Sequence, residues 1–336
     1  MTIDFTVERS MRPVRSPAAT LSATRLESMA EDIGLFLPAK VTGALIAGLR
    51  AGKHVVLTGP PGTGKSTLAA LVAQLGRESL LCTGHLATSA TSAWTVAQTV
   101  GETIRTTAGP SFRPGVVVDA IESGRWLLID ELNRANIDVA FGELFAVLAG
   151  QPVVLPHRRT EFSPLLSLVP WNAAVPEGTE PICVPKPWRM IATMNTTDRR
   201  QLFDLSRALL RRFAFVHVGS PDATVFVDIV GGTSSVIAPL CAIRQLQDVG
   251  PAIFRDAADL AAARLEDGAT ESAALLDAFT AYVLPQLDPL PADRLEELLA
   301  ILAGVLRAPE RRAVRQLLHE FGVIGAGSRQ GVSRCG

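Results

Sequence analysis

Apolar and polar residues along residues 36–220 follow a pattern that predicts strands separated by helices. Short apolar or β-branched runs are typical of strands buried on both faces, and they occur at HVVLTG (54–59), SLLC (79–82), RWLLID (125–130), PVVLP (152–156), RMIATMN (189–195) and FAFVHV (213–218). Helical spacing of apolar residues occurs in LPAKVTGALIAGLRAGKH (37–54), STLAALVAQLG (66–76) and DVAFGELFAVLAG (138–150). Strands that alternate with helices indicate an α/β fold with a doubly wound parallel sheet.

The pattern changes after about residue 220, where the strand signals stop and helical segments follow. The clearest is ADRLEELLAILAGVLR (292–307), whose leucines share one face and whose Asp293 is placed to cap the start. The last residues are small and polar, which is typical of disorder. We predict an N-terminal arm or helix at 1–35, an α/β domain at 36–220, an all-helical domain at 221–325 and a disordered tail at 326–336.

Composition narrows the classes of protein that fit. The chain has 336 residues, of which 48% are hydrophobic, so it can bury a large core. With 32 basic and 33 acidic residues, it has no global charge that favours nucleic acid or an anionic membrane as a partner. Its four cysteines show no C-x-x-C spacing, and no apolar run is long enough to suggest a membrane span or signal peptide. We expect a cytoplasmic protein with reduced cysteines.

The stretch GPPGTGKST (59–67) fits the phosphate-loop pattern G-x-x-x-x-G-K-[ST] between a predicted strand and a predicted helix. Such a loop presents backbone N–H groups to phosphate oxygens, and its glycines let the backbone approach closely. We expect Lys65 to reach the β- and γ-phosphates and Ser66 to ligate Mg²⁺, with Thr67 as the alternative. The predicted nucleotide-binding residues are Gly59, Pro60, Pro61, Gly62, Thr63, Gly64, Lys65, Ser66, Thr67 and Asp130.

Two adjacent carboxylates, Asp130 and Glu131, follow the predicted strand RWLLID. Beside a phosphate loop, the first acid can bind Mg²⁺, usually through water, because this hard cation prefers oxygen ligands. The second can orient and deprotonate an attacking water, a role that suits hydrolysis better than transfer to another acceptor. Without a phosphate loop, the pair would be read as a solvated strand end.

Asn195 ends another apolar strand, where its amide could hold the attacking water on the side opposite Glu131. Alone, a strand-terminal asparagine would be an ordinary turn residue. The segment LSRALLRRFAFVHV carries Arg207, Arg211 and Arg212 just before a strand. An arginine delivered across a subunit boundary can stabilise charge on a γ-phosphate, although a surface arginine cluster is the plain alternative.

Taken in order, GPPGTGKST, WLLIDELNRAN, MNTTDRR and ALLRRF resemble the motifs of AAA+ ATPases of the dynein-related and MoxR branch. The greatest similarity is to McrB-type NTPases, whose second acidic motif reads like DEINRAN and whose sensor strand ends in an MNTxDR pattern. The resemblance covers about residues 36–310. It implies a nucleotide-binding α/β core followed by a small helical lid, which VGPAIFRDAADL and YVLPQL resemble. It also implies a hexameric ring with nucleotide at each subunit boundary.

The resemblance assigns roles residue by residue. Gly59, Gly64, Lys65, Ser66 and Thr67 match Walker A, and Asp130 and Glu131 match Walker B. Asn195 matches sensor 1, and Arg212 best matches the arginine finger, with Arg211 as the close alternative. For the lid arginine called sensor 2, Arg255 and Arg244 both compete. Further signature positions that we expect to support the site or the subunit contact are Asn133, Arg134 and Asp198.

The sequence also departs from the McrB-type pattern. Those proteins use GTP, whereas most of the wider branch uses ATP. No sequence feature identifies the base that is bound, so we favour ATP as the nucleotide of the wider branch. Only a short arm precedes the motor, so a DNA-reading domain is not expected and direct nucleic-acid binding is not indicated. The segment 157–188 resembles an inserted hairpin region. Its Trp171 and Trp188 are either pore or partner contacts, or buried anchors.

The function that we expect is an oligomeric ATPase that remodels, loads or activates a separate partner protein, in a McrBC-like restriction or defence system or a MoxR-like chaperone system. One alternative is a phosphotransferase acting on a small acceptor, which the acid pair and the sensor asparagine disfavour. Another is a nucleotide-sensing scaffold with little turnover. Membrane association is not expected.

Overall fold

The structure is a computed structural model that describes residues 21–107, 109–196, 210–231 and 234–324. Its helices are α1 (Ala23–Glu31), α2 (Ala39–Arg50), α3 (Lys65–Glu78), α4 (Val96–Thr99), α5 (Val116–Glu122), α6 (Ile137–Phe141), α7 (Leu144–Leu148), α8 (Ala223–Val230), α9 (Ile237–Ala242), α10 (Pro251–Glu266), α11 (Glu271–Ala278), α12 (Ala292–Ala303) and α13 (Ala308–Glu320). Its strands are β1 (His54–Gly59), β2 (His85–Ser89), β3 (Gly101–Thr106), β4 (Gly109–Pro114), β5 (Trp126–Asp130), β6 (Val153–Arg158), β7 (Leu165–Pro170), β8 (Thr179–Val184), β9 (Met190–Asn195) and β10 (Phe213–His217).

Five parallel strands form the central sheet in the order β10-β1-β9-β5-β2, which confirms the predicted α/β fold with a doubly wound parallel sheet. The inner strands β1, β5 and β9 consist almost entirely of buried residues, as their unbroken apolar runs predict. Because all five strands run in one direction, β1, β5 and β9 end at the same edge. Gly59, Asp130 and Asn195 therefore share that edge.

Helices cover both faces of the sheet. On one face, α1, α2 and α3 pack around Leu26, Leu45 and Leu68, and the Trp126 ring lies beneath α3. On the other face, a second cluster includes Phe141, Leu144 and residues of α5. The helix α1, within the segment that we expected to be an arm or helix, thus contributes buried residues to the same core as α3.

Three local predictions were wrong. SLLC (79–82) is not a strand, since Leu80 has φ +56° and is 80% exposed. The edge strand is instead β2, whose half-exposed HLATS sequence lacks an apolar run. The predicted helix at 138–150 is divided into α6 and α7 by Gly142, which has φ +40°. The N-cap position of α12 is Pro291, and Asp293 lies in the first turn without capping it.

Two small sheets interrupt the α/β pattern. Strands β3 and β4 form an antiparallel hairpin between α4 and α5, which the sequence pattern did not predict. Strands β6, β7 and β8 form a three-stranded sheet that contains most of the segment expected to be an inserted hairpin. The backbone N–H of Phe112 donates to the carbonyl of Arg159 at 3.2 Å, and Ser111 forms a bridge with Thr160. The two insertions therefore contact each other.

Helices α8 to α13 pack around a core of their own, which includes Phe226, Phe254 and Phe279. This helical region contacts the phosphate loop of the sheet domain at the start of α10, where Gly250 N donates to Pro61 O at 2.9 Å. A predicted helical region after about residue 220 is therefore present. Within the residues described, no helix is both long and apolar enough to cross a membrane.

Two helix glycines provide a matched test of the packing between α3 and the sheet. A Cβ added at Gly76 would lie 2.8 Å from the Trp126 ring, whereas one at Gly43 in α2 would meet nothing within 4 Å. Both replacements by alanine reduce the entropy of the unfolded chain and favour helix. We expect Gly43→Ala to raise the free energy of unfolding by about 0.5–1 kcal/mol, and Gly76→Ala to lower it by about 1–3 kcal/mol because the ring must move. Urea denaturation measures both, and equal effects would contradict this packing.

His54, the first residue of β1, should make the free energy of unfolding depend on pH. Its Nδ1 accepts a hydrogen bond from Met190 N at 2.9 Å, and its ring lies against Trp188 and Phe213. Burial, with smaller contributions from Arg189 and Lys53, lowers the pKa of His54 to about 3. The folded state therefore resists protonation that the unfolded chain accepts near its ordinary pKa of 6.5.

Because the folded-state pKa is depressed, the stabilisation from His54 is present above pH 6.5 and is lost as the pH falls toward 3. Between pH 7 and pH 5 this one group costs about 2 kcal/mol of the free energy of unfolding. We expect His54→Gln to lose less stability than the parent chain over that interval, by about this amount. Urea denaturation at the two pH values measures the difference, and parallel losses would show that His54 is protonated normally.

Candidate nucleotide site

The loop at 59–64 leaves β1 and ends at the first turn of α3, as the phosphate-loop pattern predicts. Gly59 has φ +156° and Gly64 has φ +81°. A Cβ at Gly59 would lie 2.1 Å from Val218 O, and one at Gly64 would lie 2.5 Å from a methyl group of Leu35. Glycine is therefore required at both positions, by the surrounding backbone at Gly59 and by the positive φ at Gly64.

Lys65 is buried beneath this loop with only 6% of its surface exposed. Its Nζ donates to the carbonyls of Gly59 at 3.0 Å and Pro60 at 2.7 Å. Burial lowers the pKa of Lys65 to about 8, although the nearby carboxylates of Glu131 and Asp130 favour the charged form. The loop, the helix start and one ammonium group thus converge at a single point, an arrangement suited to binding polyphosphate.

Ser66 and Asp130, predicted to share a metal ion, are in direct contact. The Ser66 hydroxyl donates to Asp130 Oδ1 at 2.8 Å, although the two residues lie 64 positions apart in the chain. The Thr193 hydroxyl donates to the same carboxylate oxygen. An aliphatic hydroxyl beside a carboxylate is a pair of hard oxygen donors at the edge of the phosphate loop.

Glu131 is held in an unusual backbone conformation, with φ +54° and ψ +47°. Its backbone N–H donates to Thr193 Oγ1 at 3.1 Å, and its Oε1 accepts a hydrogen bond from Asn195 Nδ2 at 2.6 Å. Among the residues that the structure describes, its buried Oε2 has no hydrogen-bond partner, and Arg134 Nε lies 3.8 Å from it. One carboxylate oxygen is therefore fixed and the other is available to a small polar group.

Thr193 is the site residue that sequence reasoning missed. It contacts both acids, and it lies two residues before Asn195 on β9. Because side chains of a strand alternate between its faces, Thr193 and Asn195 point to the same side. That period-two spacing was the available signal, but threonine is so common in buried strands that it indicates nothing by itself.

The arginine candidates lie away from this chain's own loop. Arg211 is exposed and Arg212 is half-buried, both just before β10. Phe213 pairs with His54 at the amino end of β1, five residues and roughly 16 Å before Gly59. An arginine at that end therefore cannot readily reach the loop of its own chain. Arg207 and Asp198 lie outside the described residues.

The two lid arginines are separated by the structure. Arg255 on α10 lines a cavity of about 170 Å³ together with Gly62, Gly64 and Thr67 of the loop. Arg244 instead lies over the Phe226 ring, 4.8 Å from its centroid, and donates to Pro221 O at 3.2 Å. Only Arg255 of this pair is therefore placed toward the loop.

The donor set fits Mg²⁺ only together with phosphate. Within the part of the chain that the structure describes, no three His, Cys, Asp or Glu residues are grouped so as to hold a metal ion. Mg²⁺ in phosphate-transfer sites is usually held by one or two protein oxygens, several waters and the substrate's phosphates. Ser66 and Asp130 supply such a pair, and the buried Glu131 Oε2 lies on the neighbouring residue.

Residues 54–213, a little under half of the chain, match the family model described as the AAA domain of the dynein-related subfamily. Over 120 residues, 36% of this chain, the sequence is 31% identical to midasin of Giardia intestinalis, and the chain spans 2% of that protein's length. The crystal structure of NtrX from Brucella abortus has 14% identity and a TM-score of 0.43, over 89% of this chain and 73% of that chain.

The family match and the sheet topology together show that residues 54–213 form an AAA domain with a parallel central sheet, followed by a helical region. The matched segment includes the loop, both acids, Asn195 and Arg212. An AAA domain implies nucleotide binding. The finer similarity to McrB-type NTPases stays a prediction.

Thr193 offers a test of how the two acids are positioned. We expect Thr193→Val, which keeps the side-chain shape but removes the hydroxyl, to lower the rate of nucleoside triphosphate hydrolysis about 10–100-fold. Thr193→Ser keeps the hydroxyl and should retain most of the rate. Nucleotide affinity should change little in either variant because the loop is untouched. Steady-state hydrolysis and fluorescent-nucleotide titration separate the two quantities, and an unchanged rate in Thr193→Val would exclude the positioning role.

Proposed function

We propose that this protein is a ring-forming ATPase that hydrolyses ATP with Mg²⁺ and uses the energy to remodel, load or activate a partner protein. The observation that carries the proposal is the contact set at one sheet edge: Ser66 with Asp130, and Asn195 with Glu131. Those four residues lie beside a phosphate loop with a buried lysine, so phosphate binding, metal binding and activation of water each have a candidate side chain. We propose that the protein and its partner belong to a restriction or defence system like McrBC or to a chaperone system like MoxR.

Each residue of the site has a distinct task in this proposal. Lys65 and the loop amides hold the β- and γ-phosphates. Ser66 and Asp130 hold the metal ion, which neutralises charge on the phosphates when it is bound. Glu131 Oε2 has no hydrogen-bond partner among the described residues, so it can accept the proton of an attacking water, while Asn195 fixes Oε1. The contact between Asn195 and Glu131 supports water as the nucleophile, since the pair can hold and deprotonate it.

The cavity beside the loop supports ATP over GTP. Its lining includes Leu35, Ile33 and Phe36, and Arg255 is the only charged residue in the part of the lining that the structure describes. Selective recognition of guanine needs an acceptor for its ring N–H and amino group, commonly a carboxylate. An apolar lining suits the adenine ring, whose edge can be read by backbone groups.

The position of Arg212 supports assembly. It lies at the amino end of β10, distant from the loop of its own chain, so we propose that it acts at the γ-phosphate bound by a neighbouring subunit in a ring. A head-to-tail contact of this kind closes into a ring when its rotation permits. We propose six subunits, with Arg212 as the finger and Arg211 as the alternative.

The assembly is tested by measuring particle mass. We expect Glu131→Gln to bind ATP and Mg²⁺ normally, to hydrolyse ATP at least 100-fold more slowly, and to accumulate as a ring of about six subunits when ATP is present. Light scattering after size-exclusion chromatography, with and without ATP, measures this. Rapid turnover by the variant, or a monomer at saturating ATP, would contradict the assignment and favour a phosphotransferase or a scaffold.

A mixing experiment tests whether the finger acts between subunits. Arg212→Ala should bind ATP but lose hydrolysis, as Glu131→Gln does. In an equal mixture, about a quarter of the subunit boundaries combine an intact Glu131 with an intact Arg212 from the neighbour. We therefore expect the mixture to regain about a quarter of the parent rate, whereas Arg211→Ala alone should stay active. No recovery on mixing, with Arg212→Ala inactive alone, would place the arginine's effect within one subunit.

A further inference from the structure

A second cavity lies at the other end of the sheet, where β1 and β9 begin. It has a volume of about 160 Å³ and is bordered by His54 and Met190 at those strand starts. Its apolar wall is formed by residues of α5 and α7, among them Val117, Ile121 and Leu148. Neither the nucleotide loop nor the acid pair contributes to it, so the proposed ATPase chemistry gives it no role.

The rim of this cavity is cationic. Lys186 Nζ lies 4.7 Å from the centroid of the Trp171 ring. Arg189 donates to the carbonyls of Lys186 at 2.8 Å, Trp188 at 2.7 Å and Leu49 at 3.3 Å, and none of these partners carries a charge. No Asp or Glu occurs in the described lining. The two positive charges are therefore not neutralised within the cavity.

The rim is also rigidly supported. Trp188 is buried, and its Nε1 donates to Arg125 O at 2.9 Å, while Trp126 Nε1 donates to Pro187 O at 2.9 Å. These two bonds attach the segment carrying Lys186 and Arg189 to β5. By contrast, Trp171 is 59% exposed, so its ring is accessible to a partner. Trp188 is thus a buried anchor, and Trp171 remains a candidate contact.

The size of the cavity indicates what it can hold. A dry apolar cavity of about 150 Å³ accommodates a benzene-sized molecule, so this one accepts a single large apolar side chain. The side chains of α5 and α7 that form the wall have no hydrogen-bonding groups for a nucleic-acid base, although Asn172 also lines the cavity, and two cations provide little for a phosphate backbone. A peptide with one apolar side chain beside carboxylates matches this chemistry, because the apolar side chain can contact the wall and the carboxylates can pair with the cations of the rim.

We propose that this cavity is a docking site for an acidic segment of a partner protein, in which one large apolar side chain fills the cavity and adjacent carboxylates pair with Lys186 and Arg189. The site lies at the opposite end of the sheet from the nucleotide loop and stands independently of the proposed ATPase function.

The test uses the full chain and capped synthetic peptides. The first has one phenylalanine flanked on each side by two glutamates, the second has serine in place of phenylalanine, and the third has lysines in place of glutamates. We expect the first to bind at low salt with a Kd on the order of 100 µM, and the other two to bind at least tenfold more weakly. Calorimetry measures the affinity. A change in tryptophan fluorescence on binding, if it is lost in Trp171→Phe, shows that the peptide binds beside Trp171.

Two variants change the charge and the volume of the site separately. Lys186→Glu reverses an exposed charge, and Leu148→Phe fills part of the cavity, so each should weaken the acidic peptide at least tenfold. Arg315→Glu makes the same change in net charge on α13 and should leave the affinity unaltered. Lys186→Glu carries the test by itself if the core substitution unfolds the chain. Unchanged ATP hydrolysis and melting temperature in Lys186→Glu would show that its effect is local.

Several outcomes would overturn the proposal. Equal binding of the glutamate and lysine peptides would show that the cationic rim does not select its ligand. Equal loss of affinity in Lys186→Glu and Arg315→Glu would show only a general charge effect. Tighter binding of a single-stranded oligonucleotide than of the acidic peptide, with the same dependence on Lys186, would assign the surface to nucleic acid. None of these results depends on whether the chain hydrolyses ATP.

Discussion

The site depends on the position of β9, which lies between β1 and β5 although it follows both in sequence. Its register pairs Asn195 with Gly59 at the end of β1, and Ala192 with Ile129 in β5. These backbone pairings bring the start of the phosphate loop, the acid pair and the sensor amide to one edge. Without β9, the loop and the acids would be on strands that do not neighbour each other.

The charged groups at this edge of the sheet suit the proposed binding of both Mg²⁺ and a polyphosphate. Lys65 is buried near the carboxylates of Asp130 and Glu131, which favour its charged form. Burial also lowers the pKa of Lys65, which shows that its charge is incompletely stabilised by the protein. In the proposed function, Mg²⁺ would offset the carboxylates and the phosphates of ATP would offset the lysine, so we expect the two ligands to bind more favourably together than either does alone.

The two ends of the sheet thus have different chemistry. At the carboxyl end, loop amides, hydroxyls and acids gather where parallel strands finish, which is where open α/β sheets commonly bind ligands. At the amino end, aliphatic residues of α5 and α7 and the anchored segment before β9 enclose a cationic cavity. The inserted β6-β7-β8 sheet connects to this end through Trp171 and Val184. The proposed partner contact and the proposed nucleotide site therefore use different residues of the chain.

Sequence alone determined the parallel α/β class and the loop, because buried strands and phosphate loops require particular residue types at fixed spacing. It also indicated Asp130, Glu131 and Asn195, since each follows an apolar run directly. It could not determine which strand lies beside which, so the role of Thr193 and the separation of Arg255 from Arg244 were decided by tertiary structure. The half-exposed edge strand β2 and the β3–β4 hairpin also escaped prediction. Their residues carry little apolar periodicity, and strand pairing that depends on distant partners leaves no local signal in the chain.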